Sequence, residues 1–323
     1  MDVTVVIPNY NGMNYIGACL DSLLAGEMTP EILVVDNGSA DGSAAYIKEN
    51  YPKVRLHCFP QNTGFCTAVN TGIRMAETEY VILLNNDTAA EKDFAVKLYE
   101  AIKSRKDAFS VSSRMLSMKE PDRIDDAGDL YCALGWAFAR GKGRPAESCK
   151  KPVEIFAACG GASIYRKSVF DVIGYFDENH FAYLEDIDIG YRAKLSGFHN
   201  YYAPEAVVYH AGSASSGSRY NEFKTRLAAR NSIYLICKNM PFLQILLNLI
   251  FLLPGFAVKT LFFIKKGMGK IYLTGLWEGI RLSLSSKGRQ QKVRFRLECL
   301  GNYVKVQLEL WYNILRLARF IEN

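Results

Sequence analysis

The sequence predicts an α/β fold with a mixed, mainly parallel sheet and a helical C-terminal extension. Three observations predict it. Short β-branched runs alternate with helical patterns, each run ends in a polar turn, and the composition changes after residue 240.

Val3–Ile7 stops at Pro8-Asn9-Tyr10-Asn11-Gly12, and a helical pattern follows through Tyr15, Ile16, Cys19, Leu20, Leu23 and Leu24. Strand, polar turn and helix make one unit. Glu31–Val35 repeats it, ending in Asp36-Asn37-Gly38-Ser39. Val54–Cys58 leads to a Gly-containing loop and a helix near Thr67–Met75, and Tyr80–Leu84 ends in Asn85-Asn86-Asp87. Strands in this order place ligands at their carboxyl ends. Residues from about 115 to 155, rich in charge, Gly and Pro, read as an irregular excursion over the sheet. Order resumes with a strand at 161–165, a helix from Asp186 to Leu195 and a strand at 206–209. A flexible Gly/Ser stretch at 212–218 and a helix from about Asn221 to Asn239 close the domain.

A chain of 323 residues exceeds one ordinary core and divides into a catalytic domain at 1–240 and an appendage at 241–323. Residues 1–240 carry 26 Lys and Arg against 29 Asp and Glu, whereas 241–323 carry 13 against 4. The basic character belongs to the tail, which argues against nucleic acid as the partner of the catalytic domain and for an anionic surface near the C-terminus. Within the tail, Phe242–Ile264 is strongly apolar, but Pro254-Gly255 divides it into runs shorter than a spanning helix needs, which favours a re-entrant or interfacial segment. A final helix at about 293–320 places Leu297, Leu300, Val304, Leu308, Trp311 and Leu315 at helical spacing. That face either lies on a membrane or packs against the catalytic domain. The eight cysteines form no CxxC pair and read as reduced thiols. The N-terminus enters a strand directly, without the pattern of a signal peptide, and the expected location is the cytoplasmic face of a membrane.

Two acidic stations stand about a hundred residues apart. Asn85-Asn86-Asp87, directly after an apolar strand, is either a surface turn or a place where a divalent ion bridges a carboxylate to a diphosphate. His210, also just past a strand, is either a further ligand, favouring Mn²⁺ over Mg²⁺, or a buried hydrogen-bonded histidine. Glu185-Asp186-Ile187-Asp188 opens a helix whose dipole favours ionised carboxylates, and an ionised carboxylate facing a hydroxyl is a general base. Helical spacing sets Glu185 and Asp188 on nearly one face and Asp186 about 100° away, so the three should have different jobs. Asp36 closes the second strand, either as part of a capped turn or as an acceptor for a pyrimidine N3–H or a ribose hydroxyl. Asn62-Thr63-Gly64 and Asn70 add polar groups near that edge. Gly141–Ala146 matches GxGxxA but follows no strand and carries Pro145 inside the intended helix start, which excludes a dinucleotide site there.

In this order the segments Val5–Gly12, Val34–Gly42, Asn62–Phe65, Leu83–Thr88, Gly161-Ala162, Gly174–Asp177, Phe181–Asp188 and Val208–His210 resemble family 2 glycosyltransferases of the GT-A fold, nearest the bacterial rhamnosyltransferase branch. The resemblance covers roughly residues 1–235. It implies that Pro8, Asn9, Asn11, Asp36, Asn62 and Gly64 line the nucleotide, with Asp36 on the base. It further implies that Asp87 of a DXD-like motif beginning with Asn85 holds Mn²⁺ or Mg²⁺ with His210, and that Asp186 is the catalytic base. Asn85, Asn86, Gly161, Glu185 and Asp188 fall to the donor and acceptor pocket. The implied reaction is inverting transfer of a sugar, L-rhamnose from dTDP-L-rhamnose or alternatively a UDP-sugar, to a saccharide or polyprenyl-diphosphate-linked acceptor in cell-surface polysaccharide synthesis. A non-catalytic glycan-binding scaffold lacks a reason for carrying both stations. A sugar-phosphate nucleotidyltransferase would need a Gly-rich basic loop where Pro8–Gly12 stands.

Overall fold

The computed structural model describes residues 2–28, 30–212 and 221–321. The expected Gly/Ser stretch from 213 to 218 lies outside the described residues. The elements run β1 (Val3–Asn9), α1 (Ile16–Leu24), β2 (Glu31–Asn37), α2 (Ser43–Asn50), β3 (Arg55–Phe59), α3 (Phe65–Met75), β4 (Tyr80–Leu84), β5 (Thr88–Ala90), α4 (Phe94–Lys103) and β6 (Ala108–Ser117). They continue with β7 (Ile124–Asp126), β8 (Asp129–Cys132), β9 (Trp136–Ala139), β10 (Val153–Ile155), β11 (Ala162–Arg166), α5 (Lys167–Ile173), α6 (Glu185–Leu195) and β12 (His199–His210). The C-terminal part holds α7 (Glu222–Asn239), α8 (Phe242–Lys265), α9 (Gly269–Leu284), α10 (Ser286–Gln290) and α11 (Leu300–Ile321).

The main sheet has the order β10-β12-β6-β11-β4-β1-β2-β3, with β5 on β12 and β7 on β6. β3, β2, β1 and β4 are parallel, β11 runs antiparallel between β4 and β6, and β6 and β12 are parallel again. Alternation along the strands buries both faces. Val3, Val5 and Ile7 pack with α1, α2 and α4 on one side, and Val6, Leu33, Val35, Val81 and Leu83 pack with α3, α5 and α6 on the other.

The region expected as an irregular excursion holds the short strands β7, β8, β9 and β10, and β6, which leads into it, was not foreseen. β6 is a long interior strand, yet it reads as polar because Ser110, Ser112 and Ser113 are buried in it. Ser110 donates to Asn200 Oδ1 at 2.7 Å and Ser113 to the Ala162 carbonyl at 2.8 Å, which compensates two of the three buried hydroxyls, while Ser112 Oγ is buried without a hydrogen-bond partner among the described residues. β10 adds an edge strand, and β8 and β9 form a separate hairpin.

The C-terminal region departs from expectation in three ways. Residues 242–265 form one continuous helix with Pro254 inside it, not two broken runs. The hairpin supports that stretch, since Trp136 Nε1 donates to the Gly255 carbonyl at 3.1 Å. A further helix, α9, went unforeseen. It lies against α7 closely enough that a Cβ on Gly275 or Gly279 would meet the Arg226 or Arg230 carbonyl oxygen at 2.4 Å. The last helix starts at Leu300, later than expected. It packs on the hairpin and α6 through Tyr303, Val306 and Leu310, and of the apolar residues anticipated as its face Trp311 packs there too, while Leu297, Leu300, Val304, Leu308 and Leu315 are exposed.

A buried charge network joins these layers. Asp188 accepts from Lys238 at 2.8 Å, Arg192 at 2.9 Å and Asn239 at 2.8 Å, and Asp177 accepts from Lys238 at 2.8 Å and Tyr234 at 2.7 Å. Two carboxylates facing two cations tie α6 to α7 and to the turn before α6. Burial opposes the charge on Asp188, but Lys238 and Arg192 hold it well below the usual carboxylate range.

Candidate functional site

The carboxyl ends of the parallel strands open onto a cleft of about 1190 Å³. Pro8, Asn9, Tyr10, Asn37 and Asn62 line one end, Asn85, Asn86, Asp87 and His210 the middle, and Asp129, Glu185 and Asp186 another wall.

At the first end Asn9 is the organising side chain. Its Nδ2 donates to Asp36 Oδ1 at 2.7 Å and to Ser43 at 2.9 Å, and its Oδ1 accepts from Asn86 at 2.7 Å. Asp36 also accepts from the Ser39 amide at 3.0 Å and is 2% exposed, so it braces the wall instead of forming it. Asn11, at φ 50°, is exposed and outside the lining, and accepts from the Ala40 amide at 2.9 Å. Gly64 sits at φ +92° where a Cβ would lie 2.6 Å from the Phe181 ring, a close approach only glycine permits. Asn37, passed over in the sequence as a turn residue, reaches the wall and donates to Asn62 Oδ1 at 3.1 Å. Asn70 does not reach it: its side chain clamps the Phe176 backbone.

The middle is built by strand pairing. After Asp87 the chain turns into β5, which pairs antiparallel with the end of β12 so that Thr88 stands opposite His210. Asp87 Oδ1 thereby lies 3.2 Å from His210 Nε2, and His210 Nδ1 lies 2.7 Å from Asp125 Oδ2. Burial disfavours the histidine cation, but the hydrogen bonds to Asp125 and Asp87 outweigh it and raise its pKa to about 9. Adjacent ligands on an octahedral ion bonded at about 2.1 Å lie about 3 Å apart, so the Asp87 and His210 atoms fit one edge of such a site. One carboxylate oxygen with one imidazole nitrogen is a donor pair that suits a divalent ion.

The remaining wall rests on strained backbone. Phe181, Tyr183 and Leu184 all have φ between 64° and 69°, at a cost of about 1 kcal/mol or more each. Helix α7 holds them there. Asn231 Nδ2 donates to the carbonyls of His180, Ala182 and Tyr183, and Arg230 to those of Asn179 and His180. This aims the start of α6, with Glu185 and Asp186, into the cleft. Asp188 is not there: it belongs to the buried charge network, which corrects its expected place in the pocket. Spacing grouped Glu185 with Asp188, whereas the structure groups Glu185 with Asp186 at the cleft and sets Asp188 apart.

The expectation that the helix dipole holds these carboxylates ionised leaves out burial, which acts on them unequally. Burial, reinforced by Asp186, pushes Glu185 up to about 8, and its Oε2 is buried without a hydrogen-bond partner among the described residues. Burial also raises Asp186. Asp129 hydrogen-bonds to it and is itself driven well above the usual range by burial, Asp126 and Asp186, so Asp129 carries the proton and Asp186 the charge. Burial raises Asp126 to about 7 against the opposing Gly128 amide. Asp125, Asp126 and Asp129 were missed in the sequence, where three acids among residues 125–129 passed for surface charge.

Comparison with known proteins follows the geometry. Residues 4–174 match the family described as Glycosyl transferase family 2. The chain is 30% identical over 245 residues to the N-acetylglucosaminyl-diphospho-decaprenol L-rhamnosyltransferase of Mycobacterium tuberculosis, covering 66% of this chain and 77% of that one. Among solved structures it resembles S. aureus TarS 1–349 in complex with UDP-GlcNAc, with a TM-score of 0.59, 18% identity and coverage of 96% and 89%. It also resembles the mannosyltransferase PcManGT from Pyrobaculum calidifontis in complex with GDP-Man and Mn²⁺, with a TM-score of 0.53, 18% identity and coverage of 96% and 84%. The likeness to these two structures shows the GT-A fold.

Asp126 supplies a test of the acid cluster. Its folded pKa lies above its unfolded one, so its stabilising contribution is full at low pH and falls as pH rises from about 4 to 7. Asp126→Asn, which keeps an oxygen for the Gly128 amide, is expected to gain stability relative to the wild type by about 1 kcal/mol per pH unit over that window. Urea unfolding at pH 5, 6 and 7 checks this, and a difference independent of pH would reject the buried, proton-holding cluster.

Proposed function

The chain belongs to glycosyl transferase family 2 and is a glycosyltransferase, and we propose that it transfers L-rhamnose from dTDP-L-rhamnose to a lipid-linked saccharide with inversion. The observation that carries the reading is the cleft itself: one cavity joins a polar wall, the Asp87–His210 pair and the Asp129–Asp186 pair. The rhamnosyl donor and a polyprenyl-diphosphate-linked acceptor rest on the activity for which the mycobacterial relative is named.

In this reading the nucleotide lies along Pro8, Asn9, Asn37 and Asn62, braced by Asp36, Asn11 and Gly64. Asn85, Asn86 and Gly161 border the sugar. Asp87 and His210 hold the divalent ion, which when bound offsets charge on the departing diphosphate. Asp186 accepts the proton of the acceptor hydroxyl as that oxygen attacks the anomeric carbon on the face opposite the leaving group. Asp129, protonated, donates a hydrogen bond to Asp186 and keeps it ionised despite burial. The buried, unpartnered Glu185 oxygen suits a sugar hydroxyl.

The C-terminal helices suit a membrane surface. α8 is 24 residues long with mean hydropathy 2.0 over its most apolar window, of which 17% is buried. Leu243, Leu246 and Ile250 on it, Trp277 and Leu284 on α9 and Leu308 on α11 are exposed, and the region is basic. Apolar contact with flanking Lys and Arg matches an anionic bilayer face, where a lipid-linked acceptor resides.

Asp186→Asn is expected to bind the donor normally and to lose about 10²- to 10⁴-fold in turnover. The readout is nucleoside diphosphate released from a panel of dTDP- and UDP-sugars with Mn²⁺ and a lipid-linked acceptor. Turnover near that of the wild type would reject the base, and release only from a UDP-sugar would replace rhamnose as the donor. Leu243→Glu with Ile250→Glu is expected to shift the protein away from anionic vesicles in a flotation assay. Unchanged partition would remove the membrane from the account.

A further inference from the structure

The Asp87–His210 pair leaves one neighbour unexplained. Asp125 does not itself line the cleft, yet its Oδ2 lies 2.7 Å from Nδ1 of His210, which does. It arrives there on β7, a three-residue strand that hydrogen-bonds to β6, whose other edge carries β12 and its terminal His210. The second carboxylate oxygen, Oδ1, is also occupied: Lys142 Nζ donates to it at 2.6 Å from the loop after β9. The carboxylate is thus fixed from both sides, and His210 is 15% exposed at its side chain.

This arrangement has a chemical consequence. An imidazole that binds an ion through one nitrogen must carry its proton on the other, and a carboxylate accepting that N–H fixes both the tautomer and the ring plane. Here Nδ1 is committed to Asp125, and Nε2 lies 3.2 Å from Asp87 Oδ1, where a bound ion would take the place of the proton shared between them. We infer that Asp125 is a positioning residue for the divalent ion, orienting His210 through Nδ1 so that Nε2 is presented to the ion beside Asp87. Lys142 steadies Asp125 and offsets its charge. The inference rests on the reading of Asp87 and His210 as the pair that holds the ion. It adds an Asp125–His210 couple supplied by the segment between β6 and β10, away from the Asn85–Asp87 motif.

The test is Mn²⁺ binding, read from the electron paramagnetic resonance signal of free Mn²⁺ titrated with the full-length protein, without substrates. Asp125→Ala is expected to weaken Mn²⁺ about 10- to 100-fold. Asp125→Asn, which keeps an oxygen for the Nδ1 proton but loses the charge, is expected to fall between Asp125→Ala and the wild type, and it carries the test if the alanine variant fails to fold. In a His210→Ala background, Asp125→Ala is expected to cost nothing further, because its effect passes through the imidazole. Unchanged affinity in Asp125→Ala would overturn the inference. So would an equal loss with and without His210, which marks direct ligation or a general charge effect. If neither Asp87→Ala nor His210→Ala weakens Mn²⁺, the ion-holding pair itself fails, an outcome separate from failure of Asp125 alone.

Discussion

The buried charge network centred on Asp188 is the constraint from which the rest of the site follows. Removing one partner from such a network typically costs about 3–5 kcal/mol, because the remaining charge stays buried without compensation. That strength has a use here. The chain approaches α6 through three non-glycine residues with positive φ, a conformation that would relax if the start of α6 were free. Asp188 locks the first turn of α6 to Lys238 and Asn239 on α7, and about two turns earlier on α7, Asn231 and Arg230 hold the carbonyls of the strained approach. The backbone strain and the ion network therefore belong to one device. It sets Glu185 and Asp186 at the cleft wall without either of them making a structural ion pair.

A second constraint is charge. The cleft and its immediate surroundings gather Asp87, Asp125, Asp126, Asp129, Glu185 and Asp186, more negative charge than a buried pocket tolerates if all are ionised. The structure resolves this unevenly. Lys142 and His210 hold Asp125 in its charged form, whereas burial leaves Asp126, Asp129 and Glu185 holding protons more tightly. Strand alternation on β7 divides the work, since Asp125 faces His210 and Asp126 feels Asp129 and Asp186. A segment of three residues thereby touches both stations of the site.

Much of this was legible in the sequence. The first four strands, the acidic stations and the helix opening at Glu185 all announce themselves through apolar runs ending in polar turns. The family resemblance carried by those motifs agrees with the match over residues 4–174. What escaped has physical reasons. β6 hides because buried serines interrupt its apolar residues, two of them, Ser110 and Ser113, being accommodated by hydrogen bonds to Asn200 and Ala162. Pro254 reads as a breaker, yet tertiary support at Gly255 accompanies an unbroken helix. Asp188 could not be told from Asp186 by spacing alone, because their fates are decided by Lys238 and Asp129, each some fifty residues away. Asp125 was invisible for the same reason: only folding sets it beside His210.

The central claim is a single displacement in which Asp186 removes a proton as the sugar leaves its diphosphate on the opposite face. The most direct measurement is the anomeric configuration of the newly formed linkage, read by NMR of the product from a donor of known configuration. The account predicts inversion. Retention would require either a second displacement or same-face attack, and neither is compatible with one base at Asp186 and one leaving-group station at Asp87 and His210.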